Sequence, residues 1–423
     1  RCPIASDCVA HKVTAPGFRN SDFGIEKMEC RGNPLWLPEI RAGTEACPYG
    51  DLDLPAIYLL YYFQTFQGSK EGRFVMEVYE YVGAIHLHTK YSDGTSSIDE
   101  VIAYAQELGL DFVMFSDHNT LEPLHEGKQG YYGNLLAIIG CELDDYENIN
   151  HYLAFGIDEV PKTKDPMEYV AIVREAGGLG IIAHPDESQS FRLIHRPLPW
   201  TRWDVDGFDA IEVWNYMSQW IVSMRLWNII PRIISPDRAI MRGPSRRALE
   251  IWDKINRERH VTGIGSLDIH GIKVGPVQII PYKAILSSIL THILIDSPFS
   301  MDDEKDIHMV FQALKDGKAF FANERLGKAR GIRFWAVWDS GMVGIGGEAG
   351  WKPGMRLVAH SPLPAHVELF RNGDLFADGD IKEPGIPFDV EAPGPGSYRA
   401  VFKREGKGWA YTNNIFLKGE EEA

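Results

Sequence analysis

From residue 83 to about residue 323 the chain alternates short apolar runs with stretches of helical period, and that alternation leaves few folds open. In SSIDEVIAYAQELGL, Ser97 and Glu100 stand three apart as a capping box, and Ile98, Val101, Ile102 and Ala105 share one helical face. DPMEYVAIVREAGG opens on Asp165 as cap with Pro166 at the first helical position, and closes on Gly177 and Gly178. Further helices are predicted over 247–259 and 303–316. Between them lie the strand-like runs DFVMFSDHN, LLAIIGCELDD, HYLAFGID, LGIIAHPD, DAIEVWN and VTGIGSLDIHG. Repeated strand and helix imply a mainly parallel α/β sheet, with enough units here to close as a barrel. In such folds chemistry collects at the C-terminal ends of the strands.

The flanks read differently. Residues 1–50 are rich in Pro, Gly and Cys without periodicity, and AIYLLYYFQTF followed by QGSKEG and RFVMEVYEYV predicts a β-hairpin. After about residue 328 the helical signal fades into short strands, including a turn at Asn372-Gly373, which predicts a β-sandwich. Three domains are expected: a Cys-bearing arm and hairpin (1–82), the central barrel (83–328) and the sandwich (329–423).

Cys2, Cys8, Cys30 and Cys47 crowd the first fifty residues, whereas Cys141 stands alone in an apolar run that points to packing. An even set in a loop-rich terminus predicts disulfides, and so an extracytoplasmic or secreted protein; a chain starting at Arg1 fits signal-peptide removal, the other address being cytoplasmic. The longest apolar run, AILSSILTHILI, is too short and too polar to span a bilayer, so a soluble protein is expected. A net charge of -16 argues against a surface that wraps nucleic acid. It leaves room for a small phosphate substrate, because bound cations can attract an anion locally.

The runs of the central region carry His86 and His88, Asp93, Asp117 and His118, Glu142, His151, His184, Asp268 and His270, all but His151 at the outgoing end of a predicted strand. Imidazoles two apart on a strand point to the same side, so His86 and His88 can converge. Burying this many ionisable groups at one mouth is unfavourable unless each is compensated, and cations compensate them. Mixed imidazole and carboxylate ligands suit zinc, manganese or iron in a hydrolytic centre rather than a thiolate structural site. Nine ligands exceed one tetrahedral ion, so two or three divalent ions are expected, with Glu142 able to bridge and a hydroxide held between ions as nucleophile. Asp117 and Asp268 are the catalytic candidates; Asp117 would orient a ligand or relay a proton, or else cap a helix. Lys90 and Arg192 are candidate anion contacts. Trp214, Tyr216 and Trp220 would either wall the pocket or belong to the core.

HLHTKYSDGT, DHN, GCELDD, NHYLAFG, AHPD and SLDIHG, in that order, resemble the polymerase and histidinol phosphatase (PHP) domain. The resemblance spans about 240 residues and implies a distorted (βα)7 barrel around two or three metals. It further implies His86, His88 and Asp268 on one ion, Glu142 bridging to a second held by His151 and His184, and Asp93, His118 and His270 on a third. Asp93 stands where many phosphatase members carry histidine. That departure, with the C-terminal phrase WAYTNNIFL, is similar to the carbaryl-hydrolase-like branch and tilts the expectation away from histidinol phosphate. The sequence therefore predicts a metal-dependent hydrolase acting first on a phosphate ester, with a carbamate, ester or amide as the alternative. A non-catalytic extracellular module stabilised by its metals is the rival from another class, and a homo-oligomer stays open.

Overall fold

The computed structural model describes residues 8–13, 25–30, 33–38, 78–187, 196–225, 227–274 and 277–419. Strands Cys8–Val13, Ile25–Cys30 and Asn33–Pro38 form an antiparallel sheet in that order, whose register sets Cys8 across from Cys30. They belong to one compact unit, residues 1–67, and the rest of the chain to another. The expected strand at 56–66, together with Cys2, Cys47 and Arg192, lies outside the described residues.

In the second unit, β1 (Tyr79–Leu87), β2 (Phe112–His118), β3 (Leu135–Leu143), β4 (Tyr152–Phe155), β5 (Leu179–Ile182), β6 (Ala210–Asn215) and β7 (Thr262–Ser266) follow one another side by side. β1, β2 and β3 run parallel, as do β5, β6 and β7, and β4 is antiparallel to both neighbours. Beyond β7 the amides of Leu267 and Ile269 donate to the Ile85 and His86 carbonyls, and that of His88 donates to Ile269, so the chain after β7 returns to β1.

These strands are apolar on both faces. In β2, Phe112 and Met114 join Leu136, Ile138, Leu153 and Ile264 in one cluster, while Val113 and Phe115 join Ala137, Ile139 and helical residues such as Val101, Ile102 and Val170 in the other. Period-2 alternation between two buried environments gives the unbroken apolar runs expected of strands covered on both sides. The helix Ile98–Glu107 carries the capping box: Ser97 Oγ accepts the Glu100 amide at 3.2 Å, and Glu100 accepts the Ser97 amide at 2.7 Å. The helix Pro166–Glu175 starts on Asp165, which accepts the Met167 amide.

β1 runs through the 82–83 point where the sequence pattern changes, and its Tyr79–Gly83 portion pairs antiparallel with β8 (Ile289–Ile295). β8 pairs with β9 (Ala319–Asn323), and β9 with a strand of the C-terminal region, Lys407–Thr412, so the sheet continues past residue 328. A separate four-stranded sheet contains Arg333–Trp338 and Arg356–His360. Its Phe334 and Leu357 share a hydrophobic cluster with Val367, Leu369, Tyr398, Phe402 and Trp409 of the large sheet. Asn372 and Gly373, both at positive φ, make the expected hairpin turn.

Candidate metal centre

The face of β3 that carries Leu136 and Ile138 inward also carries Glu142, and the same period-2 rule takes Cys141 to the opposite face. On β2, Met114 and His118 follow that rule. β4 runs the other way, so its incoming end lies beside the outgoing end of β3, and His151, immediately before β4, joins the group. His86 sits at a register shift in β1 between Ile85 and Leu87, at φ 69. His184 and Asp268 also adopt positive φ, 28 and 52, as do Asn119 and Asn148 beside the site. Such backbone costs about 1–3 kcal/mol per residue and persists where the surroundings over-determine it, typically at functional sites.

Five imidazoles close on one carboxylate. Glu142 Oε2 lies 3.2 Å from His86 Nε2, 3.1 Å from His88 Nε2 and 3.2 Å from His118 Nδ1. Its Oε1 lies 2.8 Å from His151 Nδ1 and 3.3 Å from His184 Nε2. Asp268 Oδ1 stands 3.3 and 3.4 Å from the Nε2 atoms of His86 and His88, which are 3.0 Å apart. Toward solvent, Asp93 approaches His270 Nε2 at 3.3 Å and both His88 and His118 at 3.7 Å. Three subsets can each gather around one point: His86, His88, Glu142 and Asp268; His118, Glu142 and His151; and His88, Asp93, His118 and His270. These subsets hold eight of the nine residues selected from the sequence, and the ninth, His184, joins them through its 3.3 Å approach to Glu142.

The donor set fits divalent cations. Among the described residues, Glu142 Oε2 and His88 Nδ1 are buried and lack a hydrogen-bond partner, although three imidazole nitrogens crowd the carboxylate oxygen. Burial alone would lower the basicity of His88 and His184, yet hydrogen bonding to the carboxylates lifts them to about 9 and about 10. Burial raises the Glu142 and Asp268 carboxyls, and the surrounding imidazoles more than reverse this, holding both well below the usual range. Burial keeps His118 low. The cluster therefore has a strong demand for positive charge, which protons or metal ions can meet.

Other chain groups fix the shape of the mouth. Asp117 accepts from the Thr89 amide, the Thr89 hydroxyl and the Ser92 hydroxyl, each at 2.7 Å, and so ties down the turn after His88. Gly94 closes that turn where a side chain has no room: a Cβ would lie 2.6 Å from the His88 carbonyl. A cavity of about 500 Å³ adjoins these residues, and its lining also includes Leu198, Met217, Trp220 and Ile221. Of the aromatic candidates, Trp220 lines this cavity. Trp214, still on β6, instead donates to Gln219 and meets Tyr411 edge-on, and Tyr216, the first residue of the helix Tyr216–Val222, donates to Asp237; both are buried and neither lines this cavity. Lys90 is exposed and paired with Glu100 at 3.3 Å, outside the cavity.

Two residues escaped the sequence reading. Lys164 pairs with Asp144 and reaches Asn119 at 3.3 Å, both at the cavity rim. Glu212, buried on β6, bonds His86 Nδ1 at 2.6 Å. Its signal was present: one carboxylate inside the apolar run AIEVW needs buried partners.

Residues 84–182 match the family model of the PHP domain. An alignment of 146 positions with MJ1587, an uncharacterised protein of Methanocaldococcus jannaschii, covers 31% of this chain and 80% of the other at 29% identity. A two-domain protein of Bacteroides vulgatus containing a predicted PHP-like metal-dependent phosphoesterase aligns over 82% of this chain and 100% of its own, at 16% identity and TM-score 0.41. A protein of Bifidobacterium adolescentis proposed to be a metal-dependent phosphoesterase aligns over 45% of this chain and 87% of its own, at 19% identity and TM-score 0.31. The PHP match ends just before His184; His184, Asp268 and His270 lie outside it and are brought to the cluster by the fold.

Proposed function

We propose that the chain is a metal-dependent hydrolase of the PHP type, acting on a phosphate ester. The observation that carries this reading is the convergence of five imidazoles on the buried Glu142 carboxylate, inside and just beyond the PHP match. Residues 83–328 would form the distorted (βα)7 barrel, supported by the hydrogen bonds from Leu267 and Ile269 back to β1, and residues 329–423 a β-sandwich. Bound in two or three places, divalent zinc, manganese or iron would activate water and stabilise charge on a non-bridging oxygen. The ligands would be His86, His88 and Asp268; His151 and His184; and Asp93, His118 and His270, with Glu142 shared. Glu142 would be shared between sites, Asp117 fixes the turn carrying His88, and Leu198, Met217, Trp220 and Ile221 make part of the cavity lining apolar. Lys164, paired with the cavity-lining Asp144 and Asn119, would be the cation a phosphate meets beyond the metals if that pair opens.

The wall of Leu198, Met217, Trp220 and Ile221 favours a second reading, an ester, amide or carbamate with an apolar group against it. Assaying the purified full chain on an aryl phosphate, an aryl carboxyl ester and an aryl carbamate, each with and without chelator, separates the two. Chelator-sensitive release from the phosphate is expected. Release from the other substrates alone moves the assignment to the second reading, and no release from any, with metal bound, overturns the hydrolase reading.

A further inference from the structure

We infer that Glu212 is the positioning residue that fixes His86 and His184 as ligands. This rests on the metal-centre reading above, and it concerns a residue that contributes no atom to the three candidate groups.

Glu212 is buried at the floor of the site, and three donors converge on it. Its Oε1 takes His86 Nδ1 at 2.6 Å, and its Oε2 takes the His184 backbone amide and the Asn215 side-chain amide, both at 2.7 Å. Asn215 is itself held, because its Oδ1 caps the helix Tyr216–Val222 through the Ser218 amide at 2.8 Å. A register shift in β6 between Glu212 and Trp214 marks the spot, as bulges beside active sites often do. The chain of contacts thus runs from a helix cap through Asn215 and Glu212 to two ligands.

Hydrogen-bond chemistry gives that arrangement a consequence. An ionised carboxylate only accepts, so His86 must carry its hydrogen on Nδ1, which leaves the Nε2 lone pair facing Glu142 and Asp268. The same carboxylate holds the His184 amide where that residue's backbone is left-handed. A glutamine has the same length but one oxygen and one amide group, and cannot accept from all three donors. With its nitrogen toward His86, the imidazole hydrogen moves to Nε2 and the ligand atom is lost. With its nitrogen toward Oε2's partners, the amides of His184 and Asn215 face a donor.

The test compares chelator-stripped wild type, Glu212→Gln and Glu212→Asp by calorimetric titration with Zn2+, alongside the thermal midpoint of each stripped protein. A second measurement needs no variant at position 212: imidazole 15N spectra of zinc-loaded wild type, with His86 assigned by its loss in His86→Asn. The expected result is affinity weakened by about 10–100-fold in at least one step for Glu212→Gln, partial recovery in Glu212→Asp, and a wild-type His86 protonated at Nδ1. Zinc affinity in Glu212→Gln equal to wild type overturns the inference. So does a His86 protonated at Nε2, and this second measurement decides if the variant does not fold. If wild type itself takes up no Zn2+, the metal-centre reading falls and the inference falls with it.

Discussion

At the scale of single residues, Glu142 and Asp117 make opposite demands on one centre. Glu142 is surrounded by imidazoles and has one oxygen without a hydrogen bond among the described residues, so its negative charge is available to cations. Glu142→Gln is expected to lower metal stoichiometry and to reduce kcat/KM by more than about 100-fold, beyond what loss of an outer partner costs. Full metal content with activity within tenfold of wild type would remove Glu142 from the shared position. Asp117 uses both oxygens on Thr89 and Ser92, so its part is to hold the turn. Asp117→Ala should lower unfolding free energy by about 3 kcal/mol, because bonds to a charged acceptor are lost and the Thr89 amide is left without a partner. Asp117→Asn should lower it by only about 1 kcal/mol, since the hydroxyls can rotate to suit an amide. If denaturant unfolding shows Asp117→Asn near wild type while activity falls 100-fold, a proton-relay role replaces the positioning one. The candidate ligands were legible in the sequence because all but His151 follow the outgoing end of an apolar run. Glu212 left a weaker signal, a carboxylate inside an apolar run, and only tertiary contact reveals which donors it serves.

At the scale of elements, local rules carried well where the partner lies a few residues away. The Ser97 capping box, the Asp165 cap and the Asn372-Gly373 turn are sequence patterns whose contacts are local, and all three are present. Ser97→Ala should therefore cost about 1 kcal/mol in a chemical denaturation series; a change under a few tenths would mean the helix Ile98–Glu107 is held by packing alone. Strand direction did not carry in this way. Alternation of strand and helix implied parallel neighbours, yet β4 follows β3 through only a short connection and pairs antiparallel, which is what brings His151 to the ligands from the start of a strand. The aromatic residues of EVWNYMSQW show the same limit. Which of them meets the cavity depends on where β6 gives way to a seven-residue helix: Trp220 of the helix lines it, while Trp214 at the end of the strand and Tyr216 at the start of the helix are packed away.

At the scale of the whole molecule, the composition change near residue 328 marks a change of pattern while the sheet runs on from β9 into Lys407–Thr412, a pairing between segments about ninety residues apart that no local signal encodes. What ties these regions together includes a buried charged group. Glu80 of β1 accepts from His292 of β8 at 2.8 Å, from the Gly331 amide at 2.9 Å and from Arg333 at 2.6 Å, and Glu324 approaches the other nitrogen of His292 at 3.3 Å. Burial alone would raise Glu80, but Arg333 and His292 hold it at about 2; burial would lower His292, but Glu324 and Glu80 raise it above 6.5. The carboxylate's contribution is thus present above pH 4.5, its ordinary value, and is lost as pH falls toward 2. The imidazole's contribution is present below pH 6.5 and is lost as pH rises through its raised value. Both operate together between about pH 4.5 and 6.5, and the network should stabilise the fold most there. Urea unfolding of wild type and His292→Gln from pH 5 to 9 should give a stability difference that is largest at the acid end and shrinks toward pH 9. The matching series for Glu80→Gln should show its difference vanish as pH falls toward 2. Differences that stay level across those ranges would mean that His292 and Glu80 contribute through shape and packing, and that the regions are joined by their shared strands rather than by charge.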